Sequence, residues 1–295
     1  RAMNDVLALA DYLELTAASH GILPFVEQSS ALTLPKLPPI GLHPELAGQL
    51  NNLSDGDGAL LWLDSDGLPL YADAHTKTFR EAVELLHRNP ALQRAASLRF
   101  LPAVGPLHAL MLKAKLSAEH GFRPSENDVR PTDYFTVRFH PNEKGKLQAQ
   151  IRPLSDGLYP DRPNGLFLHK KAAKRALDAW AREQQFCPAE LNILPPGYDR
   201  NAPCPVAAVG RCQGQCGNIG EAAQQRQRIE TAARLLPVAD WGKAHQIEIC
   251  ETDTLNGRRL SFHCAGGALQ MPDGSWYFDR KLPAVFKEKF RAHRN

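Results

Sequence analysis

The chain has 295 residues, with 35 Lys+Arg against 32 Asp+Glu and a formal net charge of +3. At 43% apolar and 23% charged residues it has a globular composition rather than a disordered or fibrous one, and its length accommodates two modest domains. No apolar run approaches the roughly 18 residues of a membrane span and no positively charged leader opens the sequence, so a cytoplasmic protein with no membrane partner is expected.

Residues 1–21 read as a helix. Val6, Leu7, Leu9, Ala10, Leu13 and Leu15 make it too apolar for a free arm, which suggests a helix that terminates an upstream domain. Pro24, Pro35, Pro38, Pro39 and Pro44 then leave only short proline-free stretches, so 22–54 read as an extended linker. A first full domain is expected over 55–130. In it, Gly58 to Leu63 and Leu68 to Tyr71 flank Asp64-Ser65-Asp66-Gly67, a hairpin pattern. Thr78-Phe79-Arg80-Glu81 has capping-box spacing and opens a helix. Ser97 to Ala103 reads as a third strand, and Gly105-Pro106 starts a second helix through about His120. The order β-β-α-β-α gives a small α/β domain.

Residues 131–186 read as a connector, with strands at Tyr134 to Phe139 and Leu147 to Arg152 and a helix from about His169 to Gln185. A cysteine segment, 187–217, is followed by a mixed α/β region over 218–295. That region has a polar helix from Glu221 to Leu236, strands at Gln246 to Cys250, Arg259 to His263 and Trp276 to Phe278, and a basic amphipathic helix from Pro283 to His293. The expected class is α/β in the α+β sense, with no internal repeat. A charge of +3 does not by itself indicate nucleic-acid binding. Two local runs are basic, His169-Lys170-Lys171 with Lys174-Arg175, and Lys287 to Arg294, and such runs are commonly solvated helix faces.

Cys187, Cys204, Cys212 and Cys216 cluster in a stretch rich in Pro and Gly, which lacks a core of its own and needs a staple. Four thiolates suit a [4Fe-4S] cluster or structural Zn²⁺, although the C-x2-C pairs usual in zinc ribbons are absent. Cys250 and Cys264 lie on strand patterns and read as buried small hydrophobes.

The run Pro203-Cys204, then Gly210-Arg211-Cys212-Gln213-Gly214-Gln215-Cys216-Gly217, resembles the cysteine segment of the UvrC and Cho family of bacterial excision nucleases, as does the approach Asn164-Gly165-Leu166-Phe167. The resemblance implies an iron–sulfur cluster in preference to zinc, with Cys187 as the fourth ligand. It also implies that the 55–130 domain is GIY-YIG-like. Gly58-Ala59-Leu60 stands where G-[IV]-Y belongs, and Pro69-Leu70-Tyr71-Ala72-Asp73 where P-L-Y-I-G belongs, so only Gly58 and Tyr71 match.

By the same resemblance the first catalytic Tyr is Leu60, the helical Arg falls at Phe79 beside Arg80, and the metal-binding Glu falls at Lys113. An ammonium repels Mg²⁺, so the topology is kept and the active site lost. Arg80, Lys113 and Lys115 are then candidates to grip DNA phosphate; alternatively Lys113 merely snorkels to water. Tyr71 is either a remnant catalytic phenol or a half-buried strand aromatic.

Arg1-Ala2-Met3-Asn4-Asp5 resembles the last motif of DnaQ-type 3'-5' exonucleases, in which the residue at Asp5 binds a catalytic metal. An acid in a first helical turn, favoured by the dipole, is the alternative, but the order of exonuclease end, Pro-rich linker, GIY-YIG-like domain and cysteine segment resembles that of bacterial exonuclease–UvrC-like fusions. The resemblance as a whole implies a DNA-repair chain that binds DNA, or a repair or replication partner, through a degenerate nuclease domain and an iron–sulfur module. It would support an upstream exonuclease that uses Mg or Mn, without being catalytic in this part. The alternatives are an active UvrC/Cho-like endonuclease, with Tyr71, His75, Asp73 and Asp66 as candidates, and a purely structural docking extension.

Overall fold

The structure is a computed structural model that describes residues 2–24, 41–121, 134–194, 206, 209–210, 222–241, 244–253 and 257–292. Its class is α+β, with helices packed on small antiparallel sheets.

Helix α1 (Ala2–His20) exposes Val6, Leu7, Leu9, Tyr12 and Leu15. The linker expected over 22–54 holds a helix near its end, α2 (Pro44–Asn51), begun by a proline at the first helical position. Its Leu46 and Leu50 are fully buried, so tertiary packing supports a helix too short to stand alone.

Strands β1 (Gly58–Leu63), β2 (Pro69–His75) and β3 (Ser97–Pro102) form an antiparallel sheet in the order β2-β1-β3. Asp64 makes the hairpin turn, its Oδ1 accepting the N–H groups of Asp66 and Leu68. One face packs Leu60, Trp62 and Leu98 on α2 and on α3 (Thr78–Arg88); the other packs Ala59, Leu61 and Ala72 on Leu116 of α4 (Pro106–Glu119). A Cβ on Gly58 would lie 2.2 Å from the Phe100 ring, which explains a glycine on this strand. The capping box forms by half. Glu81 accepts from the N–H groups of Thr76 and Lys77, but the Thr78 hydroxyl donates to the Gly56 carbonyl instead.

Strands β4 (Phe135–Pro141) and β5 (Leu147–Pro153) join β7 (Asn164–Phe167) in a second sheet, while β6 (Gly157–Tyr159) pairs elsewhere. Helix α5 (Lys170–Glu183) buries Ala173, Leu177, Trp180 and Ala181 against this sheet, and α6 (Ala222–Ala232) completes the cluster with Ile229. The Trp180 indole N–H donates to the Ala232 carbonyl at 2.8 Å. A 3-10 turn (Ala233–Leu235) follows.

The C-terminal strands are β8 (Gln246–Thr252), β9 (Arg259–Ala265), β10 (Ala268–Gln270) and β11 (Trp276–Phe278). With β6 they make a five-stranded sheet in the order β6-β11-β10-β9-β8. Helix α7 (Leu282–Ala292) anchors it with the fully buried Leu282 and Phe286. Leu107, Ala109, Leu110 and Ala114 of α4 share one apolar core with this sheet and α7, so α4 lies between the first domain and the C-terminal one.

Candidate functional site

Along α4 the positions Leu110, Ala114 and Leu116 are apolar and buried, and Lys113 falls between them. Its side chain, only 17% exposed, does not reach water as a snorkelling lysine would. The ammonium sits 3.1 Å from Asp73 Oδ1 on β2 and 2.8 Å from Asp279 Oδ2, just past β11. Lys281 Nζ lies 2.9 Å from the other Asp73 oxygen and donates to the Ala74 carbonyl at 2.7 Å. The Tyr277 hydroxyl donates to Asp279 Oδ2 and the Lys281 N–H to Asp279 Oδ1, at 2.9 and 2.8 Å.

Two ammoniums thus neutralise two buried carboxylates. Burial pushes both carboxyls up, but the Lys113 charge and its companions outweigh it, so Asp73 and Asp279 lie below the usual carboxylate range. For Lys113, burial favours the neutral amine; the surrounding Tyr277, Asp73 and Asp279 reverse this and hold its pKa well above the ordinary lysine value.

A second contact ties α4 to the C-terminal sheet. Glu251 on β8 accepts the N–H groups of Leu107 (3.0 Å) and His108 (3.1 Å), satisfying the open donors of the first turn, and Lys289 of α7 lies 3.2 Å from its Oε1. A Cβ on Gly105 would fall 2.5 Å from the Glu251 carboxyl carbon, so glycine permits this approach. Asp57 nearby is raised to about 6, by burial first and then by the Glu251 charge.

The other residues singled out from sequence are placed as follows. Tyr71 is half-buried on β2 beside the Leu60 and Trp62 cluster. Arg80 Nε is 2.8 Å from Asp55 Oδ2, with 40% of the side chain exposed. Lys115 is 65% exposed and faces Glu119 at 3.8 Å. His75 Nδ1 is 2.9 Å from Glu81 Oε2. Burial raises the Glu81 carboxyl, but the hydrogen bond and charge of His75 bring it down to about 2. Asp66 is exposed in the β1–β2 turn, and the Asp5 backbone lies within α1.

Of the four cluster cysteines, Cys187 is half-buried in the turn after α5; Cys204, Cys212 and Cys216 lie outside the described residues. Among the described residues no three His, Cys, Asp or Glu side chains converge as metal ligands. Cys264 is a core residue whose thiol burial pushes up to about 12. Cys250 is exposed, against the expectation, because it occupies an outward position between buried Ile249 and Glu251.

Sequence reasoning missed Asp279, Lys281, Tyr277, Glu251 and Lys289, all from the last fifty residues. The Tyr277-x-Asp279-x-Lys281 alternation was the available signal, but nothing local pairs it with α4.

Comparison with known proteins bears on the middle of the chain. The family model of the UvrC/Cho excinuclease middle domain matches residues 134–235, the second sheet with α5, the cysteine segment and α6. The chain is UvrC/Cho-like. It is 28% identical over 207 residues to Excinuclease cho of Escherichia coli O157:H7, a match covering 68% of each protein. Excinuclease cho of Shigella flexneri and that of Escherichia coli K12 match with the same identity and coverage. No solved structure matches significantly. Among the described residues, no helix of this UvrC/Cho-like chain is long and apolar enough to cross a membrane.

Proposed function

We propose that the chain acts in DNA repair as a non-cutting UvrC/Cho-like protein, whose nuclease-like domain supports a DNA-bound assembly instead of hydrolysing the backbone. The similarity to the Cho excinucleases supports the repair role. The observation that carries the loss of cutting is the Lys113 ammonium between Asp73 and Asp279. Metal-assisted cleavage needs a carboxylate free to hold a divalent ion beside the attacking water. Here both carboxylates are engaged by ammoniums, which would also repel the ion.

Arg80 and Lys115, although beside Asp55 and Glu119, still reach solvent and remain the candidate phosphate contacts on this domain, whereas Lys113 is buried between two acids. The spacing of Cys187, Cys204, Cys212 and Cys216 supports a four-thiolate metal site, and the resemblance to the UvrC and Cho cysteine segment favours a [4Fe-4S] cluster there, with zinc as the alternative. Such a group would staple residues 187–217 to the end of α5. The resemblance of Arg1 to Asp5 supports reading the chain as the partner of an upstream 3'-5' exonuclease that would use Mg²⁺ or Mn²⁺, with DNA and other repair or replication proteins as further partners.

The test is duplex nicking by the 295-residue chain with Mg²⁺ or Mn²⁺. No metal-dependent nicking is expected. Nicking that persists through purification and falls in Tyr71→Phe would show an active endonuclease and overturn the proposal. Iron, sulfide and zinc analysis of anaerobically purified protein tests the cysteines separately. About four iron and four sulfide per chain, lost in Cys212→Ser, are expected.

A further inference from the structure

We infer that the outer face of α5 is the surface on which this protein holds the phosphate backbone of duplex DNA, an inference that rests on the repair role proposed above. Lys170, Lys171, Lys174, Arg175 and Arg182 stand against Asp178 and Glu183, so one helix of 14 residues carries +3, the formal charge of the whole chain. The apolar residues of the helix point inward, which turns Lys170, Lys171, Lys174 and Arg175 to solvent.

None of those four cations has a carboxylate partner among the described residues. Elsewhere Arg80, Lys113, Lys146, Arg280, Lys281 and Lys289 lie within ion-pair distance of an acid, while cations such as Arg99, Arg152 and Lys287 stand without one among the described residues; α5 differs in bringing four exposed, unpaired cations together within six residues. The α5 arrangement also opposes its own helix. Lys170 and Lys171 occupy the first turn, where the macrodipole favours acids, and no acid is present there. Lys170 with Lys174, and Lys171 with Arg175, are like-charge pairs one turn apart, which repel. The fold gains nothing from this concentration, whereas a polyanion would relieve it.

A second pair of cations lies beside β7, the strand that leads into α5. Arg162 precedes β7, and Arg234 lies on the 3-10 turn beside that strand, whose Leu166 is bonded to Pro237 and Ala239. Neither arginine has a carboxylate partner among the described residues, and Arg234 adds to burial in lowering the Arg162 pKa. From β7 the chain passes through His169 directly into the basic turn of α5.

The helix spans about 21 Å, a length over which duplex DNA presents one charge per roughly 1.7 Å of axis. An anionic membrane is a poorer match, because an interfacial helix needs exposed large apolar residues and α5 buries its own.

The test is binding of a labelled 20-base-pair duplex to the 295-residue chain, by fluorescence anisotropy over a salt series. The variant is Lys170→Glu/Lys174→Glu/Arg175→Glu. Acids near the first turn suit the dipole, so an unchanged melting temperature checks that it folds. Arg88→Glu/Lys144→Glu/Lys287→Glu, exposed elsewhere, carries the same change in net charge. Loss of at least about ten-fold in affinity, with a salt slope lower by about 2.7, is expected for the α5 variant alone.

Equal weakening by both variants would reduce the effect to net charge and overturn the inference. An α5 variant that binds like the parent would overturn it while leaving the repair role standing; a parent chain with no affinity for DNA would remove both. Displacement of the duplex by poly-glutamate at matched charge would assign the stripe to an acidic protein and overturn it as well.

Discussion

Replacing Lys113 with Ala removes the one ammonium shared by two buried carboxylates. At 3.1 and 2.8 Å and an effective dielectric of about 20, its attractions to Asp73 and Asp279 are about 5 and 6 kcal/mol. Truncation also recovers the several kcal/mol spent desolvating the ammonium. Asp73 keeps Lys281; Asp279, 1% exposed, is left with the Tyr277 hydroxyl and one backbone N–H. The net loss is therefore expected near 4 kcal/mol at pH 7, within the range for breaking a buried pair.

The pH dependence has a definite sign. In the parent, Asp73 and Asp279 have folded pKa values below the unfolded ones, so their contribution is present above the unfolded carboxylate range and is lost as pH falls through the folded values. In Lys113→Ala, burial raises the Asp279 carboxyl instead, so protonation relieves the penalty and the two proteins converge in acid. Urea unfolding at pH 7 and pH 4 measures both. A loss under about 1 kcal/mol at pH 7, or one that is the same at both pH values, would refute the assignment of a buried ionic tie.

Glu251→Ala should cost about 3 kcal/mol and Glu251→Gln less, since Gln keeps an oxygen for the α4 amides but not the charge opposite Lys289; thermal unfolding gives the order. Asp57, raised to about 6, binds its proton more tightly when folded, so its contribution is complete below the unfolded carboxylate range and is lost as pH rises through about 6. Asp57→Asn is accordingly expected to stabilise by about 1 kcal/mol at pH 8, after allowance for solvent screening, and to be neutral at pH 4. Trp180→Phe leaves the Ala232 carbonyl without its indole donor, and a loss of about 1–2 kcal/mol with faster amide exchange in α6 is expected.

The elements legible in the sequence are those whose signal is local. Asp64 to Gly67 announces the β1–β2 hairpin because Asp64 makes its own turn, and Gly105-Pro106 announces α4 because proline suits a first helical turn. Helix α2 is hidden because eight residues begun by proline resemble a linker until β3 and its neighbours cover Leu46 and Leu50. Strands β6 and β10 have three residues each, too few for any period to show, and unlike the equally short β11 they are not an unbroken aromatic run. At the site, Lys113 was conspicuous as a cation in an apolar stripe; its partner Asp279 is 166 residues away and nothing in either neighbourhood names the other.

Helix α4 also dictates the order in which the molecule can be assembled. Its face toward β1 and β2 is covered by sequence already made, but Leu107, Leu110 and the Lys113 ammonium wait for β8 to α7. The bonds that close this seam join residues 144 and 166 positions apart, and the last, from Lys281 to Asp73, spans 208. Loop closure over such distances is slow, and a ribosome adding about 5–20 residues per second leaves that half-finished surface bare for roughly ten seconds or longer. The domain built on β1 to β3 is thus made well before it can be finished, and a chain shortened ahead of α7 would present it as an aggregation-prone intermediate.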